Sequence, residues 1–163
     1  MKKLVFLVMT ALFIAPAAIA GTAAGIEAFS TKQFETALKE LNPAAKAGDP
    51  EALYHLALMY SRGFGVPKNA QKALKLYGEA AELGHVAAQK EYGTALAIGD
   101  GADQNVEEGL KWLLIAARTG NQEAGVYAVR FSQLMSRPVV LTARRKAGQW
   151  LSAFKKAQAA QQN

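Results

Sequence analysis

The chain has 163 residues, no cysteine, 19 basic and 13 acidic residues, and a formal net charge of +6. That length suffices for one domain with its own core. The missing cysteines exclude a disulfide framework, a thiol nucleophile and a lipid-anchored N-terminal cysteine. Charge is distributed unevenly: residues 21–123 hold 10 basic and 13 acidic residues, residues 124–163 hold 7 basic and none acidic.

Met1-Lys2-Lys3 precedes the uncharged run 4–26, which is apolar from Leu4 to Ala15 and is then broken by Pro16. This is the layout of a secretory signal. Ala18-Ile19-Ala20 supplies small residues for a cut before Gly21, and Thr22-Ala23-Ala24 offers a second site. The expectation is a signal peptide over 1–20, a flexible segment over 21–29 and an exported protein, with the periplasm as first compartment and secretion as second. An uncleaved anchor is the rival, since residues 4–26 are long enough to cross a bilayer.

The rest of the chain repeats with a period of 36. Ala44-Ala45, Ala80-Ala81 and Ala116-Ala117 recur at that spacing, as do Gly48, Gly84 and Gly120, and Leu38, Leu74 and Leu110. Such periodicity is the mark of a solenoid. In chain order, Ser30 with Gln33 caps a helix carrying Phe34, Ala37, Leu38 and Leu41, a half unit over 30–48 in which Pro43 should kink or split the helix. The unit over 50–85 opens with Asp49 as cap and Pro50 at the first helical position. Its first helix runs from Glu51 to Arg62, Gly63 and Gly65 turn the chain, and a second helix follows Asn69 and ends at Gly84. The unit over 86–121 repeats this with helices Val86 to Ile98 and Asn105 to Thr119, where Asn105 and Glu108 have capping-box spacing. A partial unit fills 122–137, Pro138 interrupts, and 138–163 is a basic amphipathic capping helix and tail centred on Thr142 to Gln158. The expected fold is therefore all-α: a short right-handed solenoid of antiparallel helix hairpins, tetratricopeptide-like, with about seven helices.

The string Ala52-Leu53-Tyr54-His55-Leu56-Ala57-Leu58-Met59-Tyr60-Ser61-Arg62-Gly63-Phe64-Gly65, continuing through Lys72-Ala73-Leu74 and Tyr77 to Ala80-Ala81-Glu82-Leu83-Gly84-His85, resembles the Sel-one-like repeat, a relative of the tetratricopeptide repeat. The unit over 86–121 departs from that pattern, with Tyr92 for a leucine, Ala102 for a valine and Gly109 for an alanine. The resemblance implies an adaptor or regulator of protein complexes, of the kind many bacteria export to the cell envelope. One branch of such proteins is linked to penicillin-binding or lactamase activity, but its repeats are stapled by cysteines absent here.

Catalytic constellations are missing. His55 and His85 have no partners at metal-ligand spacing, and no serine signature is present. Gly63-Phe64-Gly65 and Gly99-Asp100-Gly101 follow no strand, so they read as turns rather than phosphate loops. Asp100, Asp103, Asn105 and Glu107 fail as a calcium loop because Glu108 and Leu114 stand where glycine and glutamate are required. The reading is a non-enzymatic binding protein without cofactor or metal, whose partner is another protein and not nucleic acid. Polar or exposed first-helix positions, His55, Arg62, Glu91, Ile98, Tyr127 and Arg130, are the candidate contacts, while His85 reads as a solvated turn residue. In the last helix, Ala147, Trp150, Leu151 and Phe154 form a stripe at i, i+3, i+4 and i+7 that caps the array. Around it, Arg144, Arg145, Lys146, Lys155 and Lys156 make a basic surface suited to an acidic protein or anionic envelope surface. An accessory factor or enzyme acting on the cell wall is the other alternative.

Overall fold

The computed structural model describes the backbone of residues 16–162 and the side chains of residues 20–162. The expected leader, residues 1–20, lies largely outside them. Among the described residues there are eight helices and no strands: α1 (Pro16–Ser30), α2 (Phe34–Lys46), α3 (Pro50–Arg62), α4 (Ala70–Glu82), α5 (Val86–Ile98), α6 (Val106–Arg118), α7 (Gln122–Leu134) and α8 (Arg137–Gln161). Pairs α1–α2, α3–α4 and α5–α6 form hairpins, and successive hairpins stack into an α-solenoid. Helices α2, α4 and α6 start 36 residues apart, as do α3, α5 and α7.

The front of the chain corrects four expectations. Residues 21–29 are not a flexible segment; they belong to α1, with Thr22 and Ala28 buried. Gly21 and Gly25 explain the contact, because a Cβ on either would press on Glu40 O or on the Leu41 side chain. The half unit is therefore a complete hairpin, raising the helix count from seven to eight. Ser30 does not cap α2: its hydroxyl donates back to Glu27 O, and Gln33 holds the N-cap position without a side-chain bond. Pro43 neither kinks α2 into two pieces nor ends it. It sits in the last turn, where the carbonyl it leaves unpaired belongs to the exposed Lys39.

The caps of the central units follow the sequence. The Asp49 carboxylate accepts from Glu51 N at 2.9 Å and Ala52 N at 3.0 Å, and also from the Thr22 hydroxyl at 3.0 Å, so it fixes α3 and ties it to α1. Replacing Asp49 with alanine is expected to cost about 1–2 kcal/mol, read as a lowered denaturation midpoint. Asn69 and Asn105 cap α4 and α6 through Lys72 N and Glu108 N. The second half of the Asn105 capping box does not form, because the Glu108 carboxylate instead receives Lys111 Nζ at 2.7 Å and Trp112 Nε1 at 3.1 Å. Gly63 and Gly99 end α3 and α5 with φ of 76° and 79°, a region that costs other residues strain.

Small residues set the hairpin spacing. Ala57 and Ala73 are buried in the first central unit, and their equivalents 36 residues on are Gly93 and Gly109. A Cβ on Gly109 would lie 2.6 Å from Gly93 O and 2.7 Å from Ala97 N. This glycine, a departure from the repeat pattern, lets α5 and α6 touch through their backbones. Tyr92, another departure, packs edge-on to Trp112 at 5.6 Å.

The last helix begins at Arg137, five residues before the repeat register would start it, and Pro138 opens it rather than interrupting it. It packs on α6 and makes little contact with α7. Ala143 and Ala147 are buried against α6, Trp150 meets Trp112 at 5.3 Å and donates to Glu82 Oε2 at 2.8 Å, and Phe154 stacks on Trp150 at 4.7 Å while covering Gly84. The stripe predicted to cap the array thus reaches back across α6 to the end of α4.

Candidate interaction surface

The first helices α3, α5 and α7 present equivalent positions at 36-residue intervals, so His55, Glu91 and Tyr127 form one row and Leu58, Thr94 and Arg130 another. Arg62 and Ile98 form a third. The structure brings Arg62, Glu91 and Ile98 together: with Ser61, Lys68, Tyr77, Thr94 and Asp100 they line a cavity of about 270 Å³ between α3 and α5. Ile98 is 59% exposed there, an apolar side chain held open among charged ones. Tyr77, which the sequence offered only as part of the repeat string, has Ser61 as a hydrogen-bond partner here, and burial, followed by the charge of Glu91, pushes its hydroxyl pKa well above the usual tyrosine value. It is a neutral hydroxyl at any physiological pH.

The other three predicted contacts lie apart from that cavity. His55 is mostly packed away: its side chain is 12% exposed, Nδ1 meets Glu51 O at 3.0 Å, and its ring stands edge-on to Phe29 and Tyr54. It belongs to an aromatic cluster with Phe34 and Phe64, whose rings stack at 4.9 Å. Tyr127 is half-buried on α7 and donates to Glu123 Oε1 at 3.2 Å, while Arg130 is exposed.

His85 corrects its reading as a solvated turn residue. Its Nδ1 accepts from Ala88 N at 3.0 Å and so caps α5, which leaves the proton on Nε2 to donate to Glu51 Oε2 at 3.0 Å, and its ring stacks on Tyr54 at 4.5 Å. The position occupied by Asp49 and Asn121 before α3 and α7 was the available signal.

A charge network missed in the sequence links α5 to α7. Lys90 Nζ reaches Glu91 at 2.7 Å and Glu123 at 3.0 Å. Burial opposes the Lys90 charge, but its hydrogen bonds to Glu91 and Glu123 outweigh that and hold its pKa above the usual lysine value. Lys90 in turn holds Glu123 below the usual carboxylate range. The pair is charged at neutral pH and is lost either as acid protonates the carboxylate or as alkali deprotonates the lysine.

On α8, Arg144, Arg145, Lys146, Lys155 and Lys156 are all exposed, and Lys146 pairs with Glu107 at 2.6 Å. Among the described residues no helix is long and apolar enough to cross a membrane, and no three of His, Asp or Glu are grouped to hold a metal ion.

The Sel1 repeat family model matches residues 50–85 and 86–121, the two units defined above by their caps and glycines. Residues 50–121 of the chain are thus two Sel1 repeats. Its fold is similar to that of a protective antigen present in uropathogenic Escherichia coli strains and displaying an SLR fold, with a TM-score of 0.81 and 23% identity over 89% of this chain and 32% of that one. A Sel1 repeat protein from Oxalobacter formigenes superposes with a TM-score of 0.66 at 28% identity, covering 79% of this Sel1-repeat chain and 55% of its counterpart. The curated DAP3-binding cell death enhancer 1 of Rattus norvegicus is 31% identical over 77 residues, which are 47% of this chain and 15% of that protein. The chain therefore spans only a small part of that relative's length.

Proposed function

We propose that this Sel1-repeat chain is a non-enzymatic scaffold or regulator, exported to the cell envelope, whose first-helix face holds a segment of a partner protein. The observation that carries this reading is the cavity shared by Arg62, Glu91 and Ile98. It joins two consecutive units, it combines a cation, an anion and an exposed apolar side chain, and it contains no nucleophile–base pair. A site of that composition recognises an extended segment through one apolar contact flanked by paired charges. The name of the rat relative, a DAP3-binding protein, is in keeping with binding by such repeats. Export is supported by Lys2-Lys3 and the uncharged run after them.

Cross-linking in cells followed by mass spectrometry, comparing the wild-type chain with an R62E/E91R double variant, tests the proposal. Arg62 is exposed and Glu91 only half-buried, so the fold should persist while envelope partners recovered by the wild type are reduced at least about tenfold. Unchanged recovery would sink the first-helix reading, and recovery of cytosolic partners alone would sink export.

A second reading rests on the exposed Arg144, Arg145, Lys155 and Lys156, whose charges point away from the packed stripe of α8. They suit peripheral attachment to an anionic envelope surface. Salt-sensitive sedimentation with anionic vesicles, lost on reversing these four charges, is its expected signature.

A further inference from the structure

In α3 and α5 the face turned toward the unit's second helix is covered: Ala57 and its equivalent Gly93 are buried, as is Ala97. In α7 the equivalent positions are Val129 and Gln133, and both are exposed, Val129 at 60%. The cause is the placement of α8. Seven residues join α3 to α4 and α5 to α6, but only Met135 and Ser136 join α7 to α8. Trp150 and Phe154 then anchor α8 over α6 and the end of α4, so α7 has no hairpin partner. What remains is a groove of about 500 Å³ with Leu114 and Ala117 of α6 as floor, Gly125 and Val129 on one wall, and Val140 on the other. Gly125 and Ala128 on that wall keep its profile low enough for a helix backbone to approach.

The charge around the groove is of one sign. Arg137 and Arg144 line it, and residues 124–163 contain no acidic side chain. Two copies of this face would bring arginines against arginines, which disfavours a symmetric dimer. A helix with an apolar stripe and acidic flanks satisfies both the exposed Val129 and the arginines.

We propose that the groove between α7 and α8 is a docking site for an acidic amphipathic helix of a partner protein, which supplies in trans the second helix that the last unit lacks. This surface is distinct from the Arg62–Glu91–Ile98 cavity, so the two readings fail independently.

The test uses the full-length chain and two fluorescent peptides of about 18 residues with leucines at i, i+3, i+4 and i+7, one carrying glutamates and the other lysines at the remaining positions. Anisotropy should show the glutamate peptide binding at least about tenfold tighter than the lysine peptide, with the difference shrinking as salt rises. V129E should weaken it at least about tenfold, and R137E/R144E should reverse the preference between peptides, while circular dichroism stays unchanged because all three side chains are exposed. Should V129E fail to fold, R137A/R144A gives the same readout with a smaller loss. Equal affinity for both peptides, no saturable binding, or indifference to V129E overturns the proposal. So does a dimer in sedimentation that V129E abolishes, which assigns the groove to a second copy, or binding to anionic vesicles that V129E abolishes without peptide binding, which assigns it to lipid.

Discussion

Replacing Gly109 with valine is expected to remove at least about 4 kcal/mol of folding stability, a large share of the 5–15 kcal/mol typical of a domain. The added side chain starts 2.6 Å from Gly93 O and 2.7 Å from Ala97 N, both of them backbone atoms of α5 that no rotamer change can move. The hairpin must open, and the contacts of Trp112 and Leu113 on the same helix open with it. Gly109→Ala separates the competing effects. Alanine gains about 1 kcal/mol of helix propensity, while overpacking costs about 1–3 kcal/mol, and because the clash is with backbone we expect a net loss of about 1–2 kcal/mol. Gly125 of α7 is the control. A Cβ there meets only Ala117 Cβ at 3.8 Å, so Gly125→Ala should stabilise by about 0.5–1 kcal/mol. Urea denaturation of the three variants checks the sign in each case. A Gly109→Ala variant as stable as the wild type would show that the hairpin is not set by backbone contact.

Deleting residues 137–163 is expected to lower the thermal midpoint by roughly 10–20 °C, because α8 is part of the core and not an appended tail. Leu110, Trp112, Leu113 and Ile115 of α6 are no more than 1% exposed, and α8 covers this helix with Ala143, Ala147, Trp150 and Leu151. Losing the burial of Trp150, Leu151 and Phe154, at about 1.5–3 kcal/mol for a fully buried large apolar side chain, amounts to about 5 kcal/mol after allowance for their partial exposure. A domain of this size converts that into the stated shift. Trp150→Ala alone should cost roughly 2–3 kcal/mol, since it removes two ring contacts and the bond to Glu82. Reversing Arg144, Arg145, Lys155 and Lys156 leaves these contacts in place and should leave the midpoint nearly unchanged. Calorimetry on the three variants distinguishes a structural helix from a dispensable one.

Much of the candidate surface was legible because the repeat fixes helix faces. Arg62, Glu91 and Ile98 were singled out as polar or exposed first-helix positions, and the fold gathers them at one cavity. His55 was chosen by the same rule and lies instead among Phe29, Tyr54 and Glu51. Its burial depends on α1, whose role as a hairpin partner was hidden because Gly21 and Gly25 look like part of a pliable segment until Glu40 and Leu41 are placed against them. The N-cap role of His85 was obscured for a related reason: an imidazole caps a helix when its second nitrogen carries the proton, and the Glu51 carboxylate that accepts this proton lies 34 residues earlier in the chain.

The sequence by itself determined the period, the helix boundaries of the central units, their aspartate and asparagine caps and glycine turns, and the inward stripe of α8. These are local properties, set by propensity, capping and the 3.6-residue spacing of apolar side chains. Tertiary structure decided that the front half unit is whole, that Gly93 and Gly109 bring two backbones into contact, and that α8 abandons α7 to lie on α6. The first two depend on which residues meet across a hairpin, Gly25 with Leu41 and Gly93 with Gly109; the third depends on a two-residue connection and on contacts more than a repeat apart, such as Trp112 with Trp150, where burial outweighs the register that the repeat would otherwise impose.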